Sequence, residues 1–229
     1  MEPIPFNLLG ILAFVGATVY AVGDVLLLAS KATVEDYPKL KPYAKLLSSA
    51  ERMTALSPTR LMWGALIGVF MTPLILFGFW HAYQGLSGVN AWAALAVFGL
   101  FGFATVIGAF VHGSFYYMGE YVHALNDVKE ESQPVIAAMM ERHRKILVIT
   151  YAPLMVFVIA ASILFSVLVA SGKTAYPLWM AGVTPLTMTL VWLLVKRILP
   201  QFVRDWTEGA GFNIAYMAFF ACITISLWK

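Results

Sequence analysis

His112, Tyr116 and Glu120 follow one another at steps of four within an otherwise apolar stretch. On a helix each step adds ~40° of rotation and ~6 Å of rise, so the three side chains share one stripe. Asp24 lies in a second apolar stretch, at a similar distance from that stretch's charged end. These residue types suit acid–base chemistry. Imidazole titrates near neutrality, so His112 is the candidate proton-transfer group, with Asp24 or Glu120 orienting it and the Tyr116 hydroxyl donating to a developing oxyanion. Arg60, Tyr151, Asn213 and Tyr216 fall near the same ends of other apolar runs and are the candidate ligand-binding groups.

Other chemistries fit less well. Ser114 stands two residues from His112, about 200° around a helix, so the two side chains point apart and a serine–histidine nucleophile is disfavoured. His112 and His123 share a face but stand ~16 Å apart along the axis, too far to bind one ion. Cys222 is the only cysteine, which removes thiolate metal sets and any internal disulfide. Asp24, His112 and Glu120 are the one carboxylate-rich metal set left open; no metal is assigned, and no cofactor is specified. The plain alternative is structural: Asp24 pairs with Arg60, His112 is a hydrogen-bonded core residue, and Glu120 is solvated where its helix leaves the membrane.

The elements that must position these residues are membrane helices. Apolar residues make up 61% of the 229-residue chain and charged residues 12%, against about a quarter charged in soluble domains. Six apolar runs, roughly 4–29, 59–83, 91–121, 146–171, 177–198 and 209–228, each reach the ~20 residues that cross ~30 Å of hydrocarbon. The expectation is an all-α polytopic bundle of six transmembrane helices forming a single domain over 1–229. The first run begins Met-Glu-Pro without a basic residue and is long, which reads as a retained span rather than a cleaved signal.

Orientation follows from the basic residues. Of the 15 Lys and Arg, only Lys173 and Lys229 lie outside the gaps after runs one, three and five. Basic residues resist translocation, so those gaps are cytoplasmic and both termini lie outside. The formal charge of +3 therefore describes a basic face toward anionic lipid headgroups, and nucleic acid is excluded as a partner.

Residues 43–56 show helical spacing of Tyr43, Leu46, Leu47, Ala50 and Met53, which predicts an amphipathic helix lying on the cytoplasmic interface. Ser57-Pro58 supplies an N-cap and first-turn proline for the second span. The third span has no stop before Asn126, and Ser132-Gln133-Pro134 restarts the chain, which predicts an antiparallel helix pair projecting beyond the bilayer. Gly99, Gly102 and Gly108 among alanines predict close backbone approach by the third span. Pro153 and Pro185 predict kinks within spans four and five. His81 and Tyr83, with Trp80 and Trp92, read as an aromatic belt at the outer interface.

Gly23-Asp24, Pro73 with Gly78-Phe79-Trp80-His81-Ala82-Tyr83, and Gly108-Ala109 with His112 resemble a bacterial family of small, uncharacterised six-helix membrane proteins, a domain of unknown function. The resemblance implies a multi-pass protein of the bacterial inner membrane and brings no catalytic residues with it. Taken with the polar cluster, the expected function is binding or processing of a small amphipathic or lipid-like molecule in a pocket near the cytoplasmic leaflet. Two others stand beside it: a transporter or channel subunit with an Asp24–His112–Glu120 proton or ion relay, and a structural or accessory membrane protein without catalysis.

Overall fold

The computed structural model describes residues 6–228, and all regular structure among them is helical. The long helices are α1 (Phe6–Leu28), α3 (Pro58–Leu86), α4 (Ala91–Asp127) and α5 (Gln133–Ala170); the four-residue helix Ala44–Leu47, in the first loop, is α2. The last third of the chain forms α6 (Pro185–Ile198), α7 (Gln201–Trp206) and α8 (Gly211–Ser226). The four long helices are long and apolar enough to cross a membrane. Runs five and six give helices of only 14 and 16 residues, about 21 and 24 Å at 1.5 Å per residue.

Proline chemistry explains the shortening of run five. Thr184 closes a capping box with Thr187, and Pro185 takes the first helical turn, where its missing N–H costs nothing. Pro185 therefore starts α6 and does not kink it, while Pro153 lies inside a continuous α5. At the other boundaries the sequence signals hold: Ser57 Oγ accepts from the Arg60 N–H at 3.3 Å, and Gln133-Pro134 opens α5. Helices α4 and α5 run 37 and 38 residues, well beyond a bilayer's ~20, and pack along each other as an antiparallel pair.

All three basic loops gather at one end. Arg52 reaches from the first loop to the Ser30 carbonyl at 2.7 Å and to Asp205 in α7 at 3.3 Å. Lys39 donates to the Asn126 carbonyl at 3.1 Å, and Arg144 to the carbonyls of Lys45 and Leu46 at 3.0 and 3.2 Å. The expected continuous helix over 43–56 does not form. Ser48 and Ser49 take left-handed φ of 46° and 79°, which an L-residue helix cannot continue through, so the segment splits into α2 and a 3-10 stretch at Ala50–Ala55. Its apolar side faces protein: Leu47 and Met53 are buried, and the His123 ring bonds the Leu56 carbonyl at 2.9 Å.

Close approach occurs elsewhere than the third span's glycines suggested. A Cβ on Gly99 would meet nothing within 4 Å, and on Gly102 or Gly108 only ordinary contacts. The tight seam lies between α1 and α3, where a Cβ on Gly23 would fall 2.8 Å from the Gly64 carbonyl oxygen. Further from the basic end, Phe79 stacks on Phe101 at 4.3 Å and meets Phe220 edge-on at 5.3 Å, filling the centre between α3, α4 and α8. His81 is fully buried in α3, so it is a core residue and not an interfacial anchor; Trp80 and Trp92 are exposed as a belt requires.

Candidate functional site

Asp24 and His112 meet. From the opposite ends of their helices they lie roughly 27 and 31 Å along the axis at 1.5 Å per residue, which puts both near one depth. Asp24 Oδ1 stands 3.4 Å from His112 Nδ1, and both residues are almost entirely buried, at 7% and 6% exposure. Asn213 of α8 donates from Nδ2 to Asp24 Oδ2 at 2.7 Å. His112 Nε2 lies 3.0 Å from the Gly64 carbonyl oxygen, and Tyr20 packs its ring edge-on against the imidazole at 4.5 Å.

These contacts count protons. A carbonyl oxygen only accepts, so His112 Nε2 carries hydrogen and donates to Gly64. A neutral imidazole would then present a bare Nδ1 lone pair to a bare carboxylate, which repel. The geometry is satisfied when one further proton lies between Nδ1 and Oδ1, on either partner. One proton shared by Asp24 and His112 is thus the arrangement these contacts favour, with Asn213 fixing the far carboxylate oxygen.

The imidazole fits because Gly68 leaves it room: a Cβ there would fall 2.2 Å from His112 Cδ2. Gly64 and Gly68 form a G-x-x-x-G spacing on α3 whose first member accepts the histidine's hydrogen bond and whose second admits its ring. The spacing itself and Tyr20, one turn before Asp24, are visible in the sequence, but only the fold places Gly64 and Gly68 against His112.

Asp24, His112, Tyr151, Asn213 and Tyr216 all line one cavity of about 180 Å³. The other candidates lie apart. Arg60 donates from Nε to the Leu26 carbonyl at 3.0 Å and from Nη2 to those of Val25 and Ala29 at 3.1 Å. It caps the orphan carbonyls at the end of α1, a role suited to a cation there. The Asp24–Arg60 pair is not formed, because the carboxylate is turned to His112 and Asn213. Tyr116 and Glu120 pair with each other one turn apart and do not line the cavity. Among the described residues no three His, Cys, Asp or Glu side chains assemble as a metal site.

A second, apolar groove of about 430 Å³ adjoins the cavity and shares Val111, Phe115 and Tyr151 with it. Tyr151 meets Phe212 edge-on at 6.2 Å, bridging α5 and α8 where those helices stay mostly apart. The two volumes together reach the ~300–1,000 Å³ of ligand sites. A cavity with polar groups set in a mainly apolar lining, beside an apolar groove, can hold a molecule that has both characters.

An apolar helical bundle with four helices able to cross a bilayer defines a membrane protein. The family model for DUF6796, a family of unknown function, matches residues 1–229, and the chain belongs to that family. No match was found among curated proteins or among solved structures.

Proposed function

We propose that this single-domain protein is a six-pass protein of the bacterial inner membrane, with both termini outside, whose cavity binds or processes a small amphipathic or lipid-like molecule. The carrying observation is that Asp24, His112, Tyr151, Asn213 and Tyr216, from four helices, line one cavity that shares Tyr151 with an adjoining apolar groove. His112 transfers or shares a proton with the ligand, Asp24, itself held by Asn213, orients the imidazole, and Tyr151 and Tyr216 contact the ligand. Membrane lipids are the surrounding partner. In this topology α6 and α8 are short spans, supported by the 13 of 15 basic residues on one side.

Gly108 lines the cavity with only Leu154 near its Cβ direction, at 3.6 Å. Gly108→Phe is expected to fill the space and lower the co-purifying amphiphile at least tenfold, as read by mass spectrometry of organic extracts. Equal amphiphile in Gly108→Phe and the natural protein would overturn the ligand reading. Topology is tested by labelling Ser48→Cys and Ser87→Cys in a Cys222→Ser background, with Ser87→Cys expected to react only from outside. Reaction of Ser87→Cys from the cytoplasmic side alone would reverse the orientation.

The shared proton favours a second reading, a transporter or channel subunit in which Asp24, His112 and Glu120 pass protons. Proton-coupled uptake in liposomes that is lost in Glu120→Gln would select it.

A further inference from the structure

The apolar groove continues beyond the site toward the basic end. Arg144, Leu147, Val148 and Tyr151 recur at helical spacing on one face of α5, and Val111, Phe115 and Met118 do so on α4; together these faces line the groove. Arg144 and Val148 also line a third, open depression of about 780 Å³ whose rim carries Lys45 and Lys145. Three cations therefore face one carboxylate there, Glu141. Arg144 uses Nη1 on the Lys45 and Leu46 carbonyls, and among the described residues no carboxylate lies within ion-pair distance of it.

We infer that Arg144, with Lys45 and Lys145, binds the phosphate headgroup of an anionic lipid whose chain lies in the groove between α4 and α5. This rests on the reading of the cavity as a ligand site and names the ligand's class. Charge complementarity picks the occupant: an Arg fork whose Nη1 is anchored on backbone carbonyls presents its remaining N–H groups to phosphate oxygens. Beside it the exposed Val148 and half-exposed Tyr151 offer apolar surface to a chain. Seven residues of α5 separate Arg144 from Tyr151, about 10 Å. A lipid with its phosphate on Arg144 thus brings the part of the molecule about 10 Å deeper to Tyr151 and the Asp24–His112 pair.

The full chain, purified in neutral detergent, would be exposed to 1-oleoyl-lysophosphatidate, to monooleoylglycerol, which has the same chain without phosphate, or to inorganic phosphate, and retained lipid counted by native mass spectrometry. Lysophosphatidate is expected to be retained at least tenfold over monooleoylglycerol, and inorganic phosphate is expected not to displace it. Arg144→Gln should remove that preference. Lys145→Gln, at an exposed site, should reduce it three- to tenfold without touching the fold, and Arg142→Gln, on the same helix but off the groove, should leave it intact. Equal retention of the two lipids, displacement by inorganic phosphate, or an equal loss in Arg142→Gln would overturn the headgroup site. Failure of the cavity reading looks different: Gly108→Phe would then leave lysophosphatidate retention and its Arg144 dependence unchanged. If both lipids bind alike and Gly108→Phe removes both, the cavity stands and the headgroup assignment falls.

Discussion

Asp24→Asn is expected to melt within about 1 kcal/mol of the natural protein, whereas Asp24→Ala is expected to lose about 3–5 kcal/mol, the usual cost of stranding one partner of a buried pair. The contrast follows from proton counting. In Asp24→Asn the new amide N–H₂ occupies the place of the shared proton and donates to His112 Nδ1, and its oxygen still accepts from Asn213. Alanine leaves His112 Nδ1 and the Asn213 amide, both on buried residues, without their protein partner. Thermal unfolding in one detergent would compare the two variants. An Asp24→Asn variant as unstable as Asp24→Ala would show that the pair does not hold a single shared proton. The same samples separate function from packing: loss of turnover or ligand retention in Asp24→Asn, with stability kept, identifies the proton as working in the site. Stability and retention both unchanged would leave Asp24 and His112 as packing residues of an accessory protein.

Gly68→Ala is expected to be costly although it adds one methyl to a helix. That methyl falls 2.2 Å from the imidazole Cδ2 and 2.3 Å from Nε2, so the ring must leave its pocket. Overpacking of this kind costs about 1–3 kcal/mol, and a displaced His112 also forfeits the Gly64 hydrogen bond and strands Asp24, at a similar cost. Gly99→Ala on α4 is the control. Nothing lies within 4 Å of its Cβ direction, so alanine there should be neutral or stabilising by up to about 1 kcal/mol through helix propensity. Equal melting temperatures for the two variants would remove Gly68 as the seat of His112.

The sequence revealed the parts of this protein that depend on local pattern. Apolar run length located the four long helices, Ser57-Pro58 and Gln133-Pro134 fixed helix starts, and the common depth of Asp24 and His112 brought them into one site. Partners set by three-dimensional packing were less legible. Arg60 looked like a site residue because its depth matched, yet its guanidinium is engaged by the end of α1. Tyr116 and Glu120 share a stripe with His112, but the cavity's lining on α4 ends at Phe115 and admits only the first of the three. Glycine number was a poor guide to close packing, since Gly99, Gly102 and Gly108 of α4 meet little, whereas Gly23 of α1 and Gly64 of α3 meet each other's backbone. The first loop misled for a different reason. Its apolar spacing was helical, but two consecutive left-handed serines, a conformation no local rule predicts, folded it back onto the bundle.

The origin of the groups around Asp24 carries a consequence for biosynthesis. Asp24 and His112 lie within the first 112 residues, while Asn213, which satisfies the second carboxylate oxygen, lies 189 residues after Asp24 in α8. Synthesis proceeds from the N-terminus, so the proton-sharing pair can form while its third partner is still in the ribosome. Until α8 docks, one oxygen of Asp24 faces an open gap. Helix α8 therefore closes the site, and a chain truncated before it would leave that oxygen of Asp24 without its Asn213 donor.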